Sequence, residues 1–328
     1  MTYLVLLGGI ALLLVGGDLL VRGAVGLAER LEIPPIIIGL TIVAFGTSAP
    51  ELVVSLKAAV SNSPGIAVGN VVGSNIANIL LVVGLPAMVA ATDCNQTDIV
   101  RNAVYVLGAS VLFIALSHIG PLGAWHGAIL FTLMMLFLVE TGRRAVSQRN
   151  GRRLAAQCDV EVIDGVSGAP HSLALIGIFI IAGLIGLSAG GHFTVDAARI
   201  LAKQWGMSEA TIGLTVVALG TSLPELATTL VAAIRGQCGL ALGNVLGSNL
   251  FNILAIMGIV SAVTPIPVPQ DLLDFDLWVM LAATLAVMPF AIARARVTRL
   301  PGALFVAAYI GYIAIAVGHK GSAIAASF

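Results

Sequence analysis

Two glutamates stand at equivalent positions in a stretch of sequence that occurs twice. Residues 39–60 read GLTIVAFGTSAPELVVSLKAAV, residues 213–234 read GLTVVALGTSLPELATTLVAAI, and 14 of the 22 positions are identical at an offset of 174 residues. Glu51 and Glu225 interrupt these otherwise apolar stretches. An ionised carboxylate in the hydrocarbon core of a bilayer costs about 2.5–3.5 kcal/mol, so it usually faces an interior cavity and has a partner.

A bound cation is the partner that this pattern favours. Lys57 lies six residues after Glu51, near the end of its apolar stretch, and Val231 takes that place in the second copy. Two carboxylates without a basic partner suit one divalent ion or a few monovalent ones. Because the same costly residue type recurs in the same setting, we interpret the two glutamates as one shared cation site inside a membrane.

The neighbours of each glutamate carry hydroxyl oxygens. Thr47, Ser48 and Glu51 stand at i, i+1 and i+4, which places the first and the last on one helix face. The second copy repeats this arrangement with Thr221, Ser222 and Glu225. The hydroxyls are therefore candidate ligands beside the carboxylates.

A proline and a glycine weaken the helix beside each glutamate. Pro50 offers no N–H and its ring presses against the carbonyl of Gly46, so we expect backbone oxygens from Ala44 to Thr47 to be freed from helical pairing. Free carbonyls are tolerated at membrane depth only where they line a cavity or bind something. The second copy has Ala218, Gly220 and Pro224 at the matching positions. An all-oxygen set of this kind favours Ca²⁺ or Na⁺ over Zn²⁺ or Cu²⁺.

A second repeated block follows each copy. GSNIANIL (residues 73–80) matches GSNLFNIL (residues 247–254) at the same offset of 174 residues. In each block a serine and an asparagine at i, i+4 share a helix face: Ser74 with Asn78, and Ser248 with Asn252. The repeats also share amides and glycines: Asn70, Asn75, Asn244, Asn249, Gly69, Gly73, Gly243 and Gly247. The asparagines either add ligands or join helices by hydrogen bonds, and the glycines are expected to allow close helix packing.

The composition is that of a polytopic helical membrane protein, with the lipid bilayer as its surroundings. Hydrophobic residues make up 59% of the 328 residues and charged residues 10%, against about 25% charged residues in soluble domains. The chain has no basic helix or aromatic-studded basic stretch, which sets nucleic acid aside as a partner. The cysteines lack metal-ligand spacing: Cys94, Cys158 and Cys238.

Ten transmembrane helices are predicted, in two halves of five. The spans are residues 3–27, 36–60, 66–90, 100–118, 122–141, 172–198, 210–234, 240–263, 274–293 and 301–318. A polar, arginine-rich linker, residues 142–171, joins the first half (1–141, with its repeated motif at 36–90) to the second (172–328, with its motif at 210–264). Because five is odd, the second half must enter the membrane from the opposite side, so the repeats are inverted as in many secondary transporters.

Lysine and arginine counts set the predicted orientation. The loops on the side of the polar linker carry 12 of these residues and the opposite side carries 4. The richer side is expected to be cytoplasmic. Both termini of this all-α protein then lie outside, and the plasma (inner) membrane is its predicted location.

The two linked motifs resemble a known family. GTSAPEL and GTSLPEL, each followed by GNVVGSN or GNVLGSN, are similar to the two α-repeats of the calcium/cation antiporter superfamily, and the chain most resembles its prokaryotic sodium/calcium exchanger-like branch. The resemblance covers most of both halves. It implies ten helices in inverted five-helix repeats, both termini outside, and exchange of Ca²⁺ against Na⁺ or H⁺.

The resemblance also implies a ligand set. Its acidic ligands fall on Glu51 and Glu225. The other ligands that it implies are Thr47, Ser48, Thr221, Ser222, Ser74, Ser248, Asn78 and the backbone carbonyls of Ala44 and Ala218. One position departs from some well-studied members, because Asn252 stands where they have an aspartate. The site therefore has one acid fewer, which leaves the coupling ion and the stoichiometry open.

The sequence thus predicts an alternating-access antiporter whose transported ions are Ca²⁺ and Na⁺ or H⁺, with no enzymatic activity and no cofactor. Spans 1 and 6 would slide against a fixed core, as the resemblance implies. Three alternatives stay open: a passive cation channel, an H⁺-coupled antiporter of another divalent cation, and a membrane scaffold that transports nothing. The sequence carries no prediction of the oligomeric state.

Overall fold

The structure of the protein is a computed structural model, and it describes residues 1–90, 92–93, 97–155, 168–205 and 218–325. Nearly all of this chain is helical. The helices are α1 (Thr2–Leu31), α2 (Pro35–Thr47), α3 (Ala49–Val60), α4 (Pro64–Val89), α5 (Thr97–Ile119), α6 (Ala124–Ala155), α7 (Leu173–Gln204), α8 (Ala218–Thr221), α9 (Leu223–Ile234), α10 (Cys238–Val263), α11 (Leu272–Ile292) and α12 (Arg299–Ala325). Two short strands, β1 (Thr92–Asp93) and β2 (Arg296–Val297), pair antiparallel and join the halves at one end.

A helical membrane protein is confirmed by the length and hydropathy of these helices. Eight of them could cross a membrane, and the bent pair α2–α3 brings the number to nine within the described ranges. The predicted seventh span, residues 210–234, begins outside the described residues. Its described part consists of α8 and the apolar α9.

Helix α6 is longer than the span predicted for it. The predicted span ends at residue 141, whereas the helix continues to Ala155, into residues expected to form the polar linker. Glu140 pairs with Arg144 one turn later, at 2.5 Å, and an i,i+4 pair in this order stabilises a helix. Because arginine and glutamine are good helix formers, the helix extends past its apolar part.

Both glutamate-bearing stretches are interrupted helices. α2 and α3 meet at an angle of 43°, and the break falls at Ser48, with Ser222 in an equivalent backbone conformation in the second copy. Pro50 lies in the first turn of α3, so the carbonyl of Gly46 has no N–H four residues on. The Ala44 carbonyl stays in helical pairing, since the N–H of Ser48 donates to it at 3.0 Å. The proline therefore frees the carbonyl of Gly46, and the expectation for Ala44 is not met.

Helices α4 and α10 contain π-helical turns at equivalent positions of the two repeats. The turns are Asn78–Val82 in α4 and Phe251–Ile256 in α10. Each includes the repeated asparagine, Asn78 or Asn252. Such turns are rare and lie frequently at functional sites.

Helices α4 and α10 are the most deeply buried of the apolar helices, and glycines let α10 pack closely against α2. A Cβ on Gly243 would lie 2.5 Å from a carbonyl oxygen of α2, and one on Gly247 would lie 2.8 Å from the α2 backbone. The α2 residues in these contacts correspond to residues 210–214 of the second copy, which lie outside the described residues, so the prediction for Gly69 and Gly73 falls there as well. The close packing predicted at the glycines is thus present at α10.

Helices α1 and α7 pack against each other, backbone to backbone, along most of their length. A Cβ on Gly16 would lie 2.8 Å from the amide nitrogen of Leu187, and one on Gly190 would lie 2.8 Å from that of Leu13. Within the described residues, this pair meets the centre of the protein mainly where α1 lies against α9. There Gly17 faces the α9 backbone.

Candidate cation-binding site

Glu51 and Glu225 lie in the first turns of α3 and α9, and both side chains are fully buried. The positive end of a helix dipole favours an anion at these positions. The two carboxylates lie near each other, where α3 and α9 begin. Lys57 is exposed, and no ion pair between either glutamate and a cationic side chain is found in the described part of the chain. The two negative charges therefore lack a basic partner there.

One hydrogen bond joins the two repeated stretches at this point. Ser48 Oγ, at the break between α2 and α3, donates to Glu225 Oε1 at 3.1 Å. Both carboxylate oxygens of Glu51 and the Oε2 of Glu225 accept no hydrogen bond from the described residues. A buried acceptor left unpaired costs about 1–3 kcal/mol, and more when it is charged. These carboxylate oxygens are therefore available to a cation.

Further buried oxygens of the predicted set also lack a hydrogen-bond partner within the described chain. They are Ser74 Oγ, Asn78 Oδ1, Ser222 Oγ, Ser248 Oγ and Asn252 Oδ1. Each glutamate-bearing helix packs against the other half of the protein. α3 contacts the π-helical turn of α10, and α9 contacts that of α4. The helix of Glu51 thus packs against the turn of Asn252, and the helix of Glu225 against the turn of Asn78.

The two equivalent asparagines differ in their hydrogen bonds. Asn78 Nδ2 donates to Asn249 Oδ1 at 3.0 Å, and Asn249 Nδ2 donates to the carbonyl of Asn75 at 3.4 Å. The amide of Asn78 is thereby held in one orientation, with its oxygen left over. Neither amide atom of Asn252 has a partner among the described residues. Asn252 is therefore the less constrained of the pair.

The other predicted ligands either have hydrogen-bond partners or lie partly outside the described residues. Thr47 and Thr221 donate their hydroxyl hydrogens to asparagines of the other half, at 3.2 and 3.5 Å. Ala44 is fully buried, with its carbonyl in helical pairing. Ala218 opens α8, and its side chain lies outside the described part of the structure.

Hydroxyl residues of α3 and α9 beyond the predicted set contact the same region. Ser55 and Thr229 accept hydrogen bonds from Asn70 and Asn244, at 2.9 and 3.1 Å. Each stands four residues after a glutamate, so the offset between the repeats could have identified both residues from the sequence. Thr228 is also fully buried and its Oγ1 has no partner in the described chain, but a valine replaces it in the first copy. The duplication therefore gave no signal for Thr228.

The donor set is that of a hard cation. Zinc and copper sites use nitrogen and sulfur ligands. In the described ranges, no group of three or more His, Cys, Asp and Glu side chains lies together, so no such site is found there. Two carboxylates with hydroxyl, amide and carbonyl oxygens match the oxygen ligands of Ca²⁺.

A family model described as sodium/calcium exchanger protein matches residues 1–141 and 175–318 of the chain. The protein belongs to the sodium/calcium exchanger family. The two matched segments fall on either side of the polar linker predicted from the sequence. The resemblance recognised in the repeated motifs is therefore confirmed at the level of the family.

Individual members of the sodium/calcium exchanger family and other membrane proteins are similar along most of the chain. The sodium/calcium exchanger MaX1 of Methanosarcina acetivorans is 30% identical over 341 residues, which cover 95% of this chain and 97% of MaX1. The inner membrane protein YrbG of Escherichia coli (strain K12) is 36% identical over 263 residues, 79% of each chain. A solved structure of the sodium-calcium exchanger NCX_Mj, soaked with Na⁺ and Ca²⁺, has a TM-score of 0.80 at 30% identity and covers 95% of this chain and 97% of that one.

Proposed function

We propose that the protein is a secondary active antiporter that exchanges Ca²⁺ for Na⁺ or H⁺ by alternating access. The observation that carries the proposal is the pair of fully buried carboxylates, Glu51 and Glu225, which one hydrogen bond from Ser48 connects across the repeats. Membership of the sodium/calcium exchanger family supports cation exchange. MaX1 and NCX_Mj, which resemble the chain along nearly its whole length, are both named as sodium/calcium exchangers.

The proposed site combines the two carboxylates with neutral oxygens. These come from Thr47, Ser48, Ser74, Asn78, Thr221, Ser222, Ser248 and Asn252, and from the carbonyls of Ala44 and Ala218. The carbonyl oxygen of Ala44 accepts the N–H of Ser48 with one lone pair and would offer the other to the ion. Ca²⁺ takes six to eight oxygen ligands in flexible geometry, which a set of this size can supply. The unpaired buried oxygens of the serines and asparagines support this assignment.

The need for charge balance explains why the proposed mechanism exchanges ions and does not leak them. Two carboxylates carry two negative charges, which one Ca²⁺ or two Na⁺ neutralise, and protons could compensate them as well. A third Na⁺ would leave surplus positive charge, because Asn252 is neutral. An uncompensated pair of charges is costly at membrane depth. The protein should therefore change sides mainly when the site is loaded, which yields exchange and prevents leak.

The proposed topology has ten spans in two inverted halves. The seventh comprises α8, α9 and the residues that precede them, and both termini lie outside. The polar linker is cytoplasmic, and the location is the inner membrane, which the name of YrbG supports. Helices α1 and α7 form the moving unit, and the deeply buried α4 and α10 belong to the fixed part.

Uptake of ⁴⁵Ca²⁺ by the purified protein in liposomes tests the proposal. An imposed Na⁺ or pH gradient should drive uptake, and Glu51→Gln and Glu225→Gln should each abolish it. Ca²⁺ should also stabilise the wild-type protein against heat, by about 2.7 kcal/mol at a concentration one hundred times the Kd. The two variants should lose this stabilisation. Glu29→Gln, near the end of α1, is the matched control and should keep both properties.

The same assay separates the competing functions. Uptake that needs no counter-ion gradient would identify a passive channel, and uptake driven by protons but better supported by another divalent ion would identify a different antiporter. Normal uptake by both glutamate variants would rule out the shared site.

A further inference from the structure

Asn70 in α4 and Asn244 in α10 are equivalent residues of the two repeats, and each holds the helix that carries its own half's glutamate. Asn70 Nδ2 donates to the carbonyl of Glu51 at 3.3 Å and to Ser55 Oγ at 2.9 Å. Asn244 Nδ2 donates to the carbonyl of Glu225 at 3.5 Å and to Thr229 Oγ1 at 3.1 Å. The first turns of α3 and α9 are thereby anchored in the same way.

The oxygens of the same two amides reach into the opposite half. Asn244 Oδ1 accepts a hydrogen bond from Thr47 Oγ1 at 3.2 Å. Asn70 Oδ1 accepts one from Thr221 Oγ1 at 3.5 Å. Each asparagine therefore connects a glutamate of its own repeat to a threonine of the other.

The chemistry of the partners fixes the direction of these bonds. A backbone carbonyl only accepts hydrogen bonds, so each amide nitrogen must face the glutamate carbonyl. The amide oxygen then faces the threonine, and because it also only accepts, the threonine hydroxyl must donate. The hydrogen of Thr47 is thus directed at Asn244, and the lone pairs of its oxygen are left for another partner.

This direction matters because a hydroxyl binds a cation through its lone pairs. Thr47 Oγ1 has two further acceptors nearby, the carbonyl of Ala44 at 3.4 Å and the carboxylate of Glu225. A hydroxyl hydrogen turned to either one would occupy an oxygen that the proposed site also uses. The amide oxygen of Asn244 keeps the hydrogen away from both.

We propose that Asn70 and Asn244 are positioning residues that orient the hydroxyls of Thr221 and Thr47 as cation acceptors across the boundary between the repeats. The inference rests on the proposed cation site. It adds that each threonine needs an asparagine of the other half to orient its hydroxyl. Neither asparagine need touch the ion. Their effect on ion affinity passes through the threonines and through the anchored helices.

A double-mutant cycle on ⁴⁵Ca²⁺ uptake by the full-length protein in liposomes tests this coupling. Asn244→Ala should raise the Ca²⁺ concentration for half-maximal uptake by about tenfold, the size of one well-formed hydrogen bond. Thr47→Val should do the same, and Thr47→Ser, which keeps the hydroxyl, should stay within about twofold of wild type. In the double variant, Asn244→Ala should add less than about threefold to the effect of Thr47→Val.

The proposal would be overturned if Asn244→Ala raised the half-maximal Ca²⁺ concentration by the same factor in the wild-type and the Thr47→Val backgrounds. A merely structural loss would not depend on the Thr47 hydroxyl. Asn75→Ala is the matched control, since this buried asparagine of α4 donates within its own helix, to the carbonyl of Val71 at 2.7 Å. Its effect should be additive with Thr47→Val. Should Asn244→Ala fail to fold, the equivalent cycle of Asn70→Ala with Thr221→Val carries the same test.

The outcome is independent of the test of the proposed function. If the Glu51→Gln and Glu225→Gln variants lose uptake while the asparagine cycles are additive, the cation site stands and the positioning role is wrong. If the glutamate variants transport normally, the proposed cation site itself is wrong.

Discussion

The carboxylate of Asp18 in α1 pairs with the guanidinium of Arg235, directly after α9, and Nε of Arg235 lies 2.5 Å from its Oδ1. The same carboxylate pairs with Arg22 of its own helix at 2.8 Å. At the equivalent positions of the second half, His192 and Asp196 contact each other at 3.2 Å and are more than half exposed. The pair formed by α1 and α7 is thus tied to α9 by an ion pair from α1.

Arg235→Gln should raise the maximal rate of exchange, because α1 must leave Arg235 if it slides against the fixed part. Both side chains are 23–28% exposed. An ion pair that water reaches contributes about 1 kcal/mol or less, so we expect at most about a fivefold increase. The Ca²⁺ concentration for half-maximal uptake should not change. Initial rates of ⁴⁵Ca²⁺ uptake measure both quantities. Arg22→Gln is the control, because the ion pair of Arg22 with Asp18 lies within α1. An equal rate increase in that variant would contradict the sliding of α1.

Gly247→Ala should lower the stability of the protein. A methyl group at Gly247 would press on the α2 backbone at 2.8 Å, and overpacking of this kind costs about 1–3 kcal/mol. Gly8→Ala is the matched control, because Gly8 is exposed in α1 and a Cβ there meets no described atom within 4 Å, while alanine is the better helix former by about 1 kcal/mol. Thermal unfolding in one detergent without Ca²⁺ compares both variants with the wild type. A melting temperature of Gly247→Ala at or above that of the wild type would show that the close contact with α2 is absent in solution.

Ser48→Ala should destabilise the ion-free protein more than Ser222→Ala. Ser48 is the donor to Glu225 Oε1, and its loss leaves that buried oxygen unpaired at a cost of about 1–3 kcal/mol. The hydroxyl of Ser222 has no partner in the described structure, so its removal breaks no hydrogen bond there. Thermal unfolding in buffer free of Na⁺ and Ca²⁺ measures the difference. The reverse order would show that the hydrogen bond from Ser48 is not maintained.

Exchange of Ca²⁺ against Na⁺ should be electroneutral in the wild-type protein. One Ca²⁺ and two Na⁺ each neutralise the two carboxylates, so an imposed membrane potential should not change the rate of uptake. Asn252→Asp adds a third acid within the site and should make uptake respond to the potential. Potentials set by K⁺ and valinomycin across the liposome membrane provide the measurement. A wild-type rate that follows the potential would mean that a further charge moves with the ions.

Much of the fold could be predicted because apolar length is a strong signal. The first three apolar segments and the break beside Pro50 follow from hydropathy and from the missing N–H of proline. The extension of α6 to Ala155 could not be foreseen, since a polar helix leaving the membrane and a polar linker have similar composition. The π-helical turns at Asn78 and Asn252 also left no mark in the sequence.

The candidate site could be predicted where the two copies agree, but not where their contacts differ. The duplication marked both glutamates and their hydroxyl neighbours. It gave no reason for Ser48 to donate to Glu225 while Ser222 has no hydrogen-bond partner among the described residues, because that difference depends on how the halves meet.

The glycine-to-glycine contact between α1 and α7 leaves little room for either helix to shift without the other. If the halves are inverted, these two helices stand in opposite entrances to the carboxylates. A displacement that opens one entrance then moves the partner helix over the other. The two helices therefore close one face of the membrane whenever they open the opposite face.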